Sequence, residues 1–195
     1  MNKQDVITFF DHYASTWDAD MIRNESVINT ILDNGGVTTD CTVLDVACGT
    51  GVLFPDYLQR NVKSVTAVDI SPEMARIAAG KYPDRPIEVI CGDIETLSLD
   101  QEFDCCMVYN AFPHFPDPKR LITVLSSHLK PDGILSVAHG MSRERINRHH
   151  EGRASKVSMG LLSEQELANI FSNYLEVTTV ISSEEMYQVC GRKRE

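Results

Sequence analysis

From Thr42 onward, short apolar runs alternate with amphipathic stretches. TVLDVA leads into a helix-like segment ending near Gln59, SVTAVDI precedes PEMARIAAGKY, and IEVICGD, FDCCMVYN, DPKRLITVLSSHL and ILSVAH follow in order. Strand-like and helix-like periods in alternation predict an α/β domain with a mostly parallel sheet and helices on both faces. The strand runs are continuous in Val, Ile, Leu and Cys rather than strictly alternating, as expected of strands covered on both sides. Near the C-terminus, LEVTTVIS and EMYQVCGR are joined tightly through residues 182–185 and predict an antiparallel hairpin on the sheet. The helix before them, SEQELANIFSNY, carries Ser163 and Glu166 at capping-box spacing.

Two segments stand outside this alternation. Residues 3–32 read as one or two helices with FFDHYASTWD near the start, which suits a lid. The stretch 139–160 is polar, dense in Arg and His, and longer than an ordinary connection, as disordered or functional loops are. The expectation is one domain over residues 1–195, with a helical lid over 1–40 and an α/β core over 41–195.

Composition narrows the partners. A formal net charge of −10 disfavours nucleic acid and anionic membrane, which are held by clustered Lys and Arg. The six cysteines form no CxxC pair and several sit in apolar runs, and neither a signal peptide nor a membrane span is visible, so a cytoplasmic protein is expected, as a monomer or homodimer.

The chemistry gathers at strand ends, where open α/β sheets place their ligand crevice. VLDVACGTG puts Asp45 near the end of the first strand and Gly49 and Gly51 in the turn after it. The dinucleotide fingerprint would have glycine where Phe54 stands, and a phosphate loop would have Lys where Val52 stands. Phosphate recognition is therefore disfavoured, and an Asp beside the turn suits a ligand with an ammonium group, such as S-adenosylmethionine (SAM). Asp69, 18 residues after Gly51, can accept from a ribose diol, or can instead cap the helix beginning at Pro72. Asp93 in CGDIETL can accept an adenine amine while Ile94 packs on the ring, and Asn110 with Phe112 and Phe115 follows the fourth strand.

Taken in order, VLDVACGTG, AVDIS, GDIE and the segment from FDCCMVYN to ILSVAH resemble the motif series of the class I SAM-dependent methyltransferases, over roughly residues 42–140. FFDHYASTWD is similar to the N-terminal helix of their ubiquinone/menaquinone-biosynthesis-like branch, although the tail lacks the aromatic, Gly-rich segment associated with quinone-ring methylation. The resemblance implies a Rossmann-like fold and the enzymatic transfer of a methyl group from SAM to a small molecule, leaving S-adenosylhomocysteine (SAH). It further implies Asp45, Ala47, Gly49 and Gly51 at the methionine end, Asp69 and Ile70 at the ribose, Met74 and Ile94 on the adenine faces, Asp93 at its amine and Trp17 in the lid.

In-line methyl transfer demands mainly alignment and water exclusion, with an acid or base required only for a protonated acceptor. His114, His139, His149 and His150 follow strands four and five on the expected crevice edge. Arg143, Asn147 and His150 or Glu151 recur at helical spacing. The favoured reading has Arg143 binding an anionic acceptor with His139 or His150 as base, His114 having a packing or substrate role. A metal held by His139, His150 and His114 is the weaker version, unsupported by any HxxxH spacing, and no metal is expected. From a different class stands a SAM-binding sensor or assembly protein without transferase activity.

Overall fold

The computed structural model describes residues 1–19, 21–150 and 155–194, the side chains of His149 and His150 excepted. Seven strands form one sheet in the order β3-β2-β1-β4-β5-β7-β6. They are β1 (Thr42–Val46), β2 (Ser64–Asp69), β3 (Ile87–Cys91), β4 (Phe103–Tyr109), β5 (Leu129–His139), β6 (Glu176–Ser182) and β7 (Tyr187–Arg192). The pairs β1–β2, β1–β4, β2–β3 and β4–β5 are parallel. β7 runs antiparallel to both β5 and β6, forming the expected hairpin.

Burial follows position in this order. All five residues of central β1 are buried, which accounts for its unbroken apolar run, whereas edge strand β3 has no buried residue and carries Glu88. The helices are α1 (Lys3–Tyr13), α2 (Glu25–Asn34), α3 (Phe54–Gln59), α4 (Pro72–Lys81), α5 (Pro118–Ser127), α6 (Arg143–His150) and α7 (Glu164–Phe171). Ser163 and Glu166 close the capping box of α7. The expected lid region divides in two. Val27, Ile28, Ile31 and Leu32 of α2 are buried with β1 and β4 side chains, so α2 belongs to the core. Only the preceding stretch, α1 and the turns after it, lines a cavity. No described helix is long and apolar enough to cross a membrane.

Candidate functional site

The β1–α3 turn is built around left-handed backbone. Ala47, Gly49 and Gly51 have φ of +53°, +58° and +84°. A Cβ on Gly51 would lie 2.5 Å from the Phe54 ring, which is fully buried. Phe54 thus replaces the third glycine of a dinucleotide loop with a core ring, and Gly51 makes room for it instead of facing the cavity.

The turn is bolted to the end of β2. Asp69 accepts the Gly49 amide on Oδ2 at 2.8 Å and the Ser71 amide on Oδ1 at 2.9 Å. The capping alternative for Asp69 is not realised, because Ser71 is the N-cap of α4 and accepts from the Met74 amide at 3.1 Å. Each Asp69 oxygen keeps a second lone pair for a ligand. Burial raises the Asp69 carboxyl against the lowering effect of these two amides. Burial, reinforced by the Asp69 charge, pushes Asp45 up to about 8.

These residues face a cavity of about 600 Å³, within the range of small-molecule sites. Of the cofactor candidates, Trp17, Asp45, Ala47, Gly49, Asp69, Ile70, Met74, Asp93, Ile94 and Asn110 line it, and Gly51 does not. Asn110, at φ +54°, accepts the Gly140 amide at 3.0 Å and so joins the ends of β4 and β5.

The stretch over the cavity is held by polar clamps. Lys3 Nζ lies 2.5 Å from Asp93 Oδ2 and 2.6 Å from Glu95 Oε2. Burial lowers the Lys3 ammonium, but hydrogen bonds to the two carboxylates outweigh it and the net shift is upward. Asp93 also accepts the Glu95 amide at 3.0 Å, so both of its oxygens have donors within the chain. Asp11 accepts from Ser71 Oγ at 2.5 Å, and Asp18 accepts from Thr50 Oγ1 at 2.5 Å and pairs with Lys81 at 2.6 Å. Phe10 meets Trp17 and His114 edge-on.

The expected catalytic group is dispersed. His139 is 2% exposed, sits edge-on to Tyr187 on the neighbouring strand and does not line the cavity. Arg143 donates to the Leu161 carbonyl at 3.0 Å, and Asn147 accepts the Leu161 amide at 2.7 Å. Arg143 and Asn147 of the helical face read from the sequence therefore pack on the returning chain. The His150 side chain lies outside the described residues. Among the described residues no three His, Cys, Asp or Glu side chains converge as a metal-ligand set.

Other residues take the cavity wall instead: Tyr109, His114, Phe115, Met141 and Arg145. Phe112 is turned into the core. The His114 Nδ1 lies 2.7 Å from the Val157 carbonyl, which can only accept, so Nδ1 carries the proton. Burial lowers His114 below the ordinary histidine range. Lys3 and Arg145 escaped sequence reasoning because neither sits in a motif, Tyr109 was passed over beside Asn110 within FDCCMVYN, and nothing local ranks Arg145 above Arg143.

A mostly parallel sheet, a left-handed turn after β1 and a buried carboxylate ending β2 beside a cavity define a Rossmann-like domain with its crevice at the strand ends. Residues 44–137 match the family described as Methyltransferase domain. The chain is 29% identical over 194 residues to the malonyl-[acyl-carrier protein] O-methyltransferase of Priestia megaterium, covering 97% of this chain and 68% of that protein. It is 31% identical over 150 residues to the demethylmenaquinone methyltransferase of Chlamydia caviae, covering 70% of this chain and 61% of that protein. It thus spans about two thirds of the length of these relatives. N-methyltransferase NodS from Bradyrhizobium japonicum, solved with SAH, shares the fold at a TM-score of 0.75 and 16% identity over 97% of this chain and 98% of that one. The chain is thus similar to methyltransferases in both sequence and fold.

Proposed function

We propose that this methyltransferase acts on a small-molecule acceptor bound over the ends of β4 and β5, with SAM over the ends of β1, β2 and β3. The observation that carries this reading is the division of one cavity: Asp45, Asp69, Asp93 and Glu95 line it on the β1–β3 side, and Tyr109, His114, Met141 and Arg145 on the β4–β5 side. Asp69 would hold the ribose hydroxyls on its free lone pairs, Met74 and Ile94 would sandwich the adenine, and Asp93 would share its carboxylate between Lys3 and the adenine amine. Gly49 and Ala47 would let the methionine end approach the backbone, and Asp45 would face its ammonium. When bound, SAM supplies an electrophilic methyl on a sulfonium, so the chain's contribution is alignment and exclusion of water. Trp17 and Phe10 would close the cavity, with the four carboxylate clamps of the N-terminal stretch keeping them there. His114, on the cavity wall beside Phe10, would contact the acceptor.

The relatives' names, an acyl-carrier-bound malonyl group and a demethylmenaquinone, span different acceptors, so the acceptor is argued from the cavity. Calorimetric titration with SAM and SAH, followed by incubation with SAM and fractionated small metabolites and assay for SAH, tests the reading. Binding of SAM with SAH released by a low-molecular-weight fraction is expected. Turnover only with macromolecular fractions, or tight binding with no turnover on any fraction, overturns it, the latter in favour of a sensor.

A further inference from the structure

We propose that the acceptor carries an oxyanion, a carboxylate or a phosphate, and that Arg145 is the residue that reads it. This rests on the acceptor side lying over β4 and β5.

The cavity's charges are segregated by strand order. Its acidic residues, Asp45, Asp69, Asp93 and Glu95, follow β1, β2 and β3, and the cation among them, Lys3, is consumed by Asp93 and Glu95. Arg145 follows β5, on the far side of β1 and β4. It lines the cavity, is exposed, and among the described residues no carboxylate lies within ion-pair distance of it.

Its placement is engineered by its helix. Arg143 and Asn147 tie one face of α6 to Leu161, and Ile146 is buried in the core, which fixes the helix rotation and turns Arg145 to the cavity. In a chain of net charge −10, long-range attraction does not draw an anion to this site. Recognition of an anion there must come from a local donor set, and a guanidinium with its fork of N–H donors free matches the two oxygens of a carboxylate or phosphate. The surrounding Tyr109, Phe115 and Met141 give the rest of the acceptor an apolar bed.

The test uses the full chain saturated with SAH at low salt, titrated calorimetrically with malonate, inorganic phosphate and neutral malonamide. Wild type, Arg145→Gln and Arg148→Gln are compared. Arg148 is exposed on the same helix and does not line the cavity, so its variant carries the same charge change without the same position. Binding of malonate or phosphate but not malonamide is expected, weakened about 10-fold in Arg145→Gln as for a lost charged hydrogen bond, and less than twofold in Arg148→Gln. The preferred anion identifies the source. Equal binding of malonamide, wild-type affinity in Arg145→Gln, or equal losses in both variants overturns the proposal. A fall in SAH affinity in Arg145→Gln also overturns it, by assigning the arginine to the cofactor's own carboxylate. Failure of wild type to bind SAH at all instead removes the methyltransferase reading beneath it.

Discussion

Lys3, in the first turn of α1, places its ammonium 2.5 Å from the Asp93 carboxylate at the end of β3, clamping the N-terminal helix across the cavity. Glu95, with a side chain only 3% exposed, takes the same ammonium at 2.6 Å. The cover over the cavity is therefore held in part by electrostatics.

Replacing Lys3 with Ala removes that clamp. For a pair this exposed the loss is about 0.5–1 kcal/mol, which weakens SAM binding about two- to fivefold. Trp17 is the only tryptophan and lines the cavity, so its fluorescence reports closure directly. Wild type should show a fluorescence change on SAH addition that saturates at lower concentration than in Lys3→Ala. Coincident titration curves would dismiss the clamp.

Asp45 links proton uptake to stability. Its carboxyl, pushed up to about 8 in the folded chain, holds a proton that the unfolded chain loses above about pH 4. The folded state then binds more protons than the unfolded, so stability falls as pH rises from about 4 to about 8. The melting temperature of the SAM-free protein should decline across this window, and Asp45→Asn should flatten the decline. A cationic ligand favours the ionised carboxyl, so SAM affinity should rise from pH 6 to 8 in wild type and not in Asp45→Asn.

The two glycines of the turn should fail differently when changed to Ala. Both pay for left-handed backbone, about 1–2 kcal/mol. Gly51→Ala also drives a Cβ to 2.5 Å from Phe54, and a total loss of about 3 kcal/mol or more is expected in urea denaturation. A Cβ on Gly49 meets only Trp17 Nε1, at 3.9 Å, so Gly49→Ala should cost less stability and more SAM affinity. Equal stability losses would contradict the assignment of Gly51 to Phe54.

Ala47 holds φ +53° without being glycine. Ala47→Gly relieves that strain, partly offset by a more flexible unfolded chain, and should stabilise the protein by about 0.5–1 kcal/mol. Thermal denaturation of the SAM-free protein checks the sign.

His139→Ala should cost about 2 kcal/mol or more through a cavity beside Tyr187, while SAM affinity stays within twofold. A large loss of affinity with unchanged stability would return His139 to the site.

Much of this was legible along the chain, because it depends on short-range periodicity and on turn chemistry. The alternation from TVLDVA onward marked the strands and helices, and the spacing of Ser163 and Glu166 marked the start of α7. Carboxylates at Asp45, Asp69 and Asp93 were readable because a parallel sheet brings its strand ends to one edge whatever the strand order. The strand order itself was not readable, since it rests on pairings between residues far apart in sequence. Side-chain direction in α6 was equally hidden: Arg143 and Arg145 are alike as sequence, and only the anchoring of Arg143 and Asn147 on Leu161 and the burial of Ile146 decide which arginine meets the cavity. Lys3 reaches Asp93 across 90 residues of chain, a distance over which no local pattern carries information. The sequence by itself determined the fold class and the acidic wall of the cavity, which are written in local motifs. The opposite wall, where Arg145 stands, was decided by tertiary packing, which alone sets the rotation of a helix and the place where its charge falls.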